Sequence, residues 1–163
     1  MNHLTRIVSL VILVSVGLFY TGCDGGGDDE KSQEQIQLEK LVSSDWTLIS
    51  AKDPTDRTSE YPGMTLSISG TFASEGGTYI YTSSATSWPS VSPWKKDDSW
   101  KFLAGSVGDK IIRLSDDQEM TYTLSNSDKQ LTIAFIYSST TGFENVGRAA
   151  SVSGNWEFIF TRP

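Results

Sequence analysis

Most of this 163-residue chain alternates polar with apolar residues, and this period of two constrains its fold more than any other feature. The clearest example runs from Leu131 to Tyr137, where every second side chain is apolar. Similar stripes recur from Trp46 to Thr161, separated by short turn sequences such as Asn126-Ser127-Asp128. Successive side chains of a strand point to opposite faces, so each stripe predicts a strand with one buried face.

About eight such strands are predicted between residues 41 and 163, and the short turns favour antiparallel pairing of neighbours. Their polar, Thr-rich second faces exclude a parallel sheet covered by helices. We expect an all-β fold, an up-and-down antiparallel barrel of about eight strands that closes the last strand beside the first. A two-sheet sandwich is the alternative. On the fifth predicted strand, Ile112 and Leu114 are expected to face inward.

The N-terminal segment reads as an export signal. Ile7 to Tyr20 carry no charge and are too few to span a membrane comfortably. Small Thr21 and Gly22 then precede Cys23, the only cysteine. This order resembles the lipobox of bacterial lipoproteins. The resemblance implies that residues 1–22 are removed and that Cys23 carries a stable lipid anchor. A plain signal peptide or an uncleaved anchor, with Cys23 unmodified, is the alternative.

Residues 23–40 are expected to form a tether. Asp24 to Lys31 combine three glycines with acidic residues, a composition typical of a flexible linker. Ser32 to Ser43 could form one short helix. The acidic stretch resembles surface-export signals of some Gram-negative outer-membrane lipoproteins, although it also fits a simple solvated spacer. The expected location is the cell envelope of a Gram-negative bacterium, lipid-anchored at the periplasmic or the surface face of the outer membrane.

From Leu41 onward the chain resembles a lipocalin-like domain of a bacterial lipoprotein. The family opens with Gly-x-Trp, and this chain has Ser44-Asp45-Trp46 at that point. An Arg near the end of lipocalins packs over that Trp, and Arg162 occupies the corresponding place. The connection from Asp53 to Gly63 resembles the lid loop of the family. The resemblance implies an eight-stranded barrel with a small apolar or amphipathic ligand in its mouth.

Composition disfavours several functions. The formal net charge of −7 disfavours nucleic acid as a partner, since phosphates need a basic face. The only histidine, His3, leaves with the signal peptide, so His-based nucleophilic catalysis and the usual zinc sites are excluded. We therefore expect no enzyme activity, no metal and no cofactor. Five acidic residues could in principle serve a glycosidase or bind calcium, but they fit turns better. They are Asp97, Asp98, Asp116, Asp117 and Glu119.

The loop from Trp88 to Trp94 is the strongest candidate for a binding site. It holds two tryptophans and two prolines, and Trp100 follows closely. Exposed aromatic faces suit sugars and apolar ligands, so Trp88, Trp94 and Trp100 are the predicted ligand-binding residues. The alternative is that Trp88 or Trp94 fills one end of the barrel.

Three functions follow from this sequence. The first is a membrane-anchored, non-enzymatic, lipocalin-like module that holds a small apolar or amphipathic ligand in its barrel. The second is a structural or interaction module whose barrel is filled by its own side chains. The third is a surface glycan-binding lipoprotein that uses the tryptophan loop. An eight-stranded barrel is just wide enough for the first or the second, so the size of the internal cavity discriminates between them.

Overall fold

The computed structural model describes residues 30–74, 76–138, 142–143 and 152–163. These residues form one α-helix, nine β-strands and a short 3-10 turn. The elements are α1 (Gln33–Val42), β1 (Trp46–Asp53), β2 (Thr55–Asp56), the 3-10 turn (Thr58–Glu60), β3 (Thr65–Ser69), β4 (Tyr79–Ser84), β5 (Asp97–Phe102), β6 (Lys110–Arg113), β7 (Gln118–Ser125), β8 (Gln130–Tyr137) and β9 (Gly154–Thr161). The predicted signal peptide and the lipidation of Cys23 lie outside the described residues and stay predictions.

The strands close into a barrel. From β3 to β9, each strand pairs antiparallel with the next. Strand β1 pairs with β3 on one side and β9 on the other, with Leu48 opposite Phe160. The two-residue β2 only folds back on the end of β1. The eight strands β1 and β3–β9 therefore form the lipocalin-like up-and-down barrel that the sequence predicts, and the sandwich is excluded because β9 closes on β1.

The interior carries the apolar stripes expected from the sequence, with one exception. On β9 the buried side chains are Trp156, Phe158 and Phe160, as predicted. On β6 the prediction is wrong, because Ile111 and Arg113 face inward while Ile112 is only partly buried. Leu114 is also only partly buried. The cause is the set of internal partners that Arg113 finds, described below.

Helix α1 covers one end of the barrel. Ser32 caps its N-terminus, where the Ser32 Oγ accepts a hydrogen bond from the Gln35 amide at 3.1 Å. Leu38 and Leu41 are buried in the core. The Leu41 carbonyl accepts a hydrogen bond from the indole Nε1 of Trp46 at 2.9 Å. The helix and the first strand therefore share one core.

Polar contacts attach the helix to the β3–β4 side of the barrel. The Tyr79 hydroxyl donates to Glu34 Oε1 at 2.5 Å, and the Gly77 amide donates to the same oxygen at 3.3 Å. The compact unit that contains the barrel accordingly begins at Lys31. This is ahead of the boundary at Leu41 that the sequence predicts, because the helix buries its apolar face against the strands.

The end of the chain contacts its first strand. The Arg162 guanidinium carbon lies 4.4 Å from the ring centroid of Trp46, a cation–π distance. The same guanidinium donates hydrogen bonds to the Lys40 carbonyl and to Ser43 Oγ at the end of α1. The Arg–Trp contact that the lipocalin resemblance implies is therefore present, and it ties the last strand to the helix.

Candidate functional site

The barrel interior is almost completely filled. The cavity enclosed by the strands and α1 has a volume of about 20 Å³, room for roughly one water molecule. Its walls are apolar and include Leu41, Tyr81, Trp94, Trp100 and Met120. Sites for small molecules usually measure about 300–1,000 Å³. The cavity that the described residues enclose is therefore far smaller than a usual small-molecule site.

Trp94 does much of this filling. It is 2% exposed. Its ring lies 4.8 Å from Phe158 and 5.7 Å from Phe160, measured between centroids. Its indole Nε1 donates a hydrogen bond to Ser83 Oγ at 2.9 Å, so its polar atom is satisfied. The C-terminal end of the predicted loop therefore turns into the barrel.

The other two predicted tryptophans lie in different places. Trp100 is buried on β5, with its ring centroid 4.9 Å from that of Tyr79. Trp88 is only partly buried and meets Tyr61 edge-on, with ring centroids 5.9 Å apart. Lys96 Nζ lies 5.7 Å from the Trp88 ring centroid. The structure thus places Trp94 and Trp100 in the walls of the small cavity, with Trp88 beside Tyr61 outside the cavity lining.

Ser92 anchors the loop between Trp88 and Trp94. Its side chain donates to the Trp94 carbonyl at 2.9 Å and accepts from the Trp94 amide at 3.0 Å. The Tyr61 hydroxyl lies 3.0 Å from the same oxygen. Because the Ser92 hydroxyl gives its single proton to the Trp94 carbonyl, the Tyr61 hydroxyl is the donor to Ser92, and burial raises the pKa of Tyr61. The Ser92 backbone also pairs with Phe143. The sequence pointed to the tryptophans of this loop, whereas the residue that fixes its path is a serine.

The buried side chain of Arg113 lies in the barrel interior and contacts this loop. Its guanidinium makes two hydrogen bonds to the Asp116 carboxylate, at 2.8 and 2.7 Å, and one to the Pro93 carbonyl at 3.1 Å. The guanidinium carbon also lies 4.9 Å from the Phe143 ring centroid. Burial opposes the charge, but the Asp116 contacts outweigh it and raise the pKa of Arg113. The sequence analysis did not predict this buried ion pair. Its only local signal is an acidic residue, Asp116, three positions after Arg113.

The acidic residues considered for catalysis include structural ones. The Asp98 carboxylate accepts hydrogen bonds from Ser115 and from Lys95, the latter at 3.1 Å. Burial opposes its ionisation, but these bonds outweigh burial and lower the pKa of Asp98. Asp116 is engaged by Arg113. Within the described ranges, no group of three or more His, Cys, Asp or Glu is arranged to hold a metal ion.

A cleft of about 330 Å³ opens beside the tryptophan loop, at the end of the barrel away from α1. We call it the rim cleft. Its walls are Asp53, Arg57, Glu60, Pro89, Ser90, Val91, Val152 and Trp156. The lining joins the connection after β1, which the sequence likened to a lid loop, with the loop that the sequence predicted as a binding site. The predicted binding loop therefore forms one wall of the rim cleft, which is the candidate functional site.

The rim cleft combines apolar side chains with charged ones of both signs. Arg57 Nη1 donates to Glu60 Oε1 at 2.9 Å, and this contact raises the pKa of Arg57. Asp53 adds a second carboxylate. Carboxylates accept hydrogen bonds and a guanidinium donates them, so the cleft can bind neutral hydroxyl-rich groups. The sequence did not single out Arg57 and Glu60, although their spacing of three in a short connection suits an ion pair.

No protein-family model, curated protein or solved structure matches the chain. Among the helices in the described part of the chain, none has the length and apolarity needed to cross a membrane.

Proposed function

We propose that this protein is a lipid-anchored, non-enzymatic envelope protein that acts through its outer surface, with a barrel filled by its own side chains. The observation that carries the proposal is the internal cavity of about 20 Å³. Trp94 and Arg113 are almost fully buried, so their side chains help to fill the barrel interior. The barrel then serves as a rigid scaffold that presents surface sites.

The lipid anchor rests on the sequence. Cys23 follows an apolar run and two small residues, and it is the only cysteine. Cys23→Ser should release the protein from the membrane fraction or leave an unprocessed precursor, as judged by fractionation and intact mass. A variant that is processed and fractionates like the wild type would refute the anchor.

The filled barrel is tested by native mass spectrometry of the purified protein. We expect the mass of the chain alone, with no co-purified small molecule. Added fatty acids should leave the fluorescence of the buried tryptophans unchanged, because Trp94 and Trp100 leave no space beside them. A stoichiometric apolar ligand in the native spectrum would contradict the proposal and restore the ligand-carrier function.

A second candidate function is recognition of a glycan at the rim cleft. It is favoured by the cleft of about 330 Å³, by its mixture of hydrogen-bonding side chains, and by the partly exposed ring of Trp88 beside Pro89. If sugar stacking resembles base stacking, one aromatic contact contributes about 1–3 kcal/mol.

Titration with envelope and dietary oligosaccharides, read by tryptophan fluorescence, tests this candidate. Trp88→Ala should weaken binding by one to two decades, as about 1–3 kcal/mol implies. The matched control is Ile80→Ala, which changes an exposed residue on the outer face of β4. Equal binding by both variants, or no binding by the wild type, would contradict glycan recognition at the rim cleft. The interaction module with a filled barrel would then stand without it.

A further inference from the structure

The barrel wall opens between β7 and β8. The ladder that joins these two strands ends at Thr121 opposite Ala134. Beyond that point β7 continues back to Gln118 beside β6, and β8 continues to Tyr137 beside β9, with no further β7–β8 pair among the described residues. We call this opening the β7–β8 seam, with Gln118–Met120 on one side and Phe135–Tyr137 on the other.

Backbone groups of both strands point into the seam. The Tyr122 amide donates to the Asp109 carbonyl at 2.8 Å, so Tyr122 bonds toward β6. The direction of the backbone N–H and C=O groups alternates along a strand, so those of Thr121 and Glu119 point toward β8. Ile136 lies two residues beyond the end of the ladder on β8 and faces β7 in the same way. Glu119 and Ile136 would form the next hydrogen-bonded pair, and the ladder does not include it.

A groove fills the seam. Its volume is about 420 Å³, and Met120, Phe135 and Trp156 contribute its apolar walls. Ile136 stands at its edge and is 71% exposed, the highest value among the exposed large hydrophobic residues of the described chain. Lone Ile side chains on a surface are common, but this one stands on a strand edge beyond the end of the described β7–β8 ladder. Across the seam, the Glu119 carbonyl accepts a hydrogen bond from the Gln118 side chain at 2.6 Å, an exposed contact that an added strand would have to displace.

We propose that the β7–β8 seam binds an extended segment of another protein, which adds a strand to the barrel wall. The seam supplies the two features that strand addition uses. The first is a set of main-chain donors and acceptors along an edge, and the second is an apolar pocket for alternate side chains. Lys110 and Glu119 flank the groove with opposite charges, so the segment that fits it is neutral. In that segment, apolar side chains would face the apolar walls of the groove, and hydroxyl side chains between them would face the open outer side.

Other occupants fit this seam less well. A glycan needs an exposed aromatic face, yet Phe135 and Trp156 are only 5% and 4% exposed. A second copy of the chain would bring together two proteins of net charge −7, which repel each other. The strand proposal rests on the proposed function, since it names a surface site and the class of partner that the filled barrel would present.

A defined peptide tests the proposal. The probe is a fluorescein-labelled hexapeptide that alternates valine and threonine, and its fluorescence anisotropy is measured with the full-length protein in lipid nanodiscs. We expect saturable binding. The same peptide with alternate amides N-methylated keeps its side chains but loses strand donors, and it should bind about tenfold more weakly. Equal binding of both peptides, or no binding of either, would overturn strand addition.

Two lysine variants locate the binding site. Ile136→Lys places a charge on the seam edge and should weaken binding at least about tenfold, because charged edge residues block strand addition. Ile80→Lys is the matched control, since Ile80 is 50% exposed on β4, away from the seam. It should bind like the wild type. Equal loss in both variants would show binding that is unrelated to the seam.

Hydrogen exchange gives an independent readout. The amides of Glu119 and Ile136 should exchange quickly in the free protein and at least about tenfold more slowly with the peptide bound, whereas those of Thr121 and Ala134 should be protected throughout. Slow exchange of Glu119 and Ile136 in the free protein would overturn the proposal. A dimer in analytical ultracentrifugation that Ile136→Lys dissociates would also overturn it, because the occupant would be a second copy. A ligand inside the barrel would refute the surface role and leave these seam measurements unaffected.

Discussion

Replacing Asp116 by Asn is expected to destabilise the barrel more than replacing Arg113 by Met. The two residues form one ion pair, but their surroundings differ. The Arg113 side chain is 0% exposed, whereas that of Asp116 is 27% exposed. If Asp116 is lost, a guanidinium remains inside the barrel without its counter-charge. If Arg113 is lost, water can reach the remaining carboxylate.

The magnitudes follow from this difference. Removing one partner of a buried pair costs about 3–5 kcal/mol. Asn keeps one acceptor for the guanidinium, so we expect the lower part of that range, about 3 kcal/mol, for Asp116→Asn. Arg113→Met leaves the Pro93 carbonyl without its donor, at about 1–3 kcal/mol, but it also removes the desolvation of a buried charge. The expected net cost is about 1–2 kcal/mol.

Urea unfolding followed by tryptophan fluorescence measures both costs, since Trp94 lies beside the pair in the core. The chain supplies its own control. Arg57 and Glu60 have the same spacing of three residues, and both side chains are more than a third exposed. Arg57→Met should therefore cost less than about 1 kcal/mol. If Arg113→Met costs as much as Asp116→Asn, the difference in burial does not govern the pair and the reasoning is refuted.

Three further outcomes are expected. Leu38→Ala should cost about 2–5 kcal/mol in urea unfolding because α1 is part of the core, and a cost under about 1 kcal/mol would detach the helix from it. Trp156→Ala should cost about 3–5 kcal/mol, and a near-neutral result would place this side chain on the surface. Asp98 has a pKa held below its usual 3.8, so its contribution is complete at neutral pH and disappears as the pH falls below about 4. Asp98→Asn should therefore lower stability at pH 7 and flatten the decline in acid, and an unchanged acid profile would exclude this role.

The barrel was predictable because its determinants are local. Alternation over four to eight residues marks most strands, and the turns carry their own signals. Asn126, Ser127 and Asp128 all adopt positive φ angles, as short polar side chains tolerate, and they join β7 to β8 where the sequence predicts a turn. The closure of β9 on β1 also follows, since an open sheet would leave two edges unpaired.

The inward arginine was not predictable from its own strand. In the run Ile111-Ile112-Arg113-Leu114, local hydrophobicity favours Ile112 and Leu114 as the buried face. The choice is reversed by partners that lie elsewhere, since Arg113 bonds the carbonyl of Pro93 on another loop. The buried position of Trp94 has a similar cause, because a loop has no periodicity and its direction depends on long-range contacts.

The β7–β8 seam was likewise not predictable from the sequence of its own strands. The apolar stripe of Met120, Tyr122 and Leu124 runs along β7 without interruption. Pairing with β8 nevertheless stops at Thr121, so the stripe predicts the strand and not the place where its ladder ends. Alternation reports which face of a strand is buried, whereas edge pairing depends on the course of the neighbouring strand.

A filled barrel also separates the residues that control stability from those that control binding. In a ligand carrier the inward side chains do both, so their substitution changes affinity and folding together. In the proposed filled barrel Trp94 and Phe158 contact each other in the core, so their substitution should act on unfolding alone. Ile136 is the exposed counterpart at the seam, whereas Trp88 at the rim is partly buried and packs against the core. Substitution of Ile136 should change binding at nearly constant stability, because surface changes away from the core usually cost less than about 0.5 kcal/mol. This separation is the physical consequence of a core that the chain completes with its own side chains, and it makes surface variants the direct route to function.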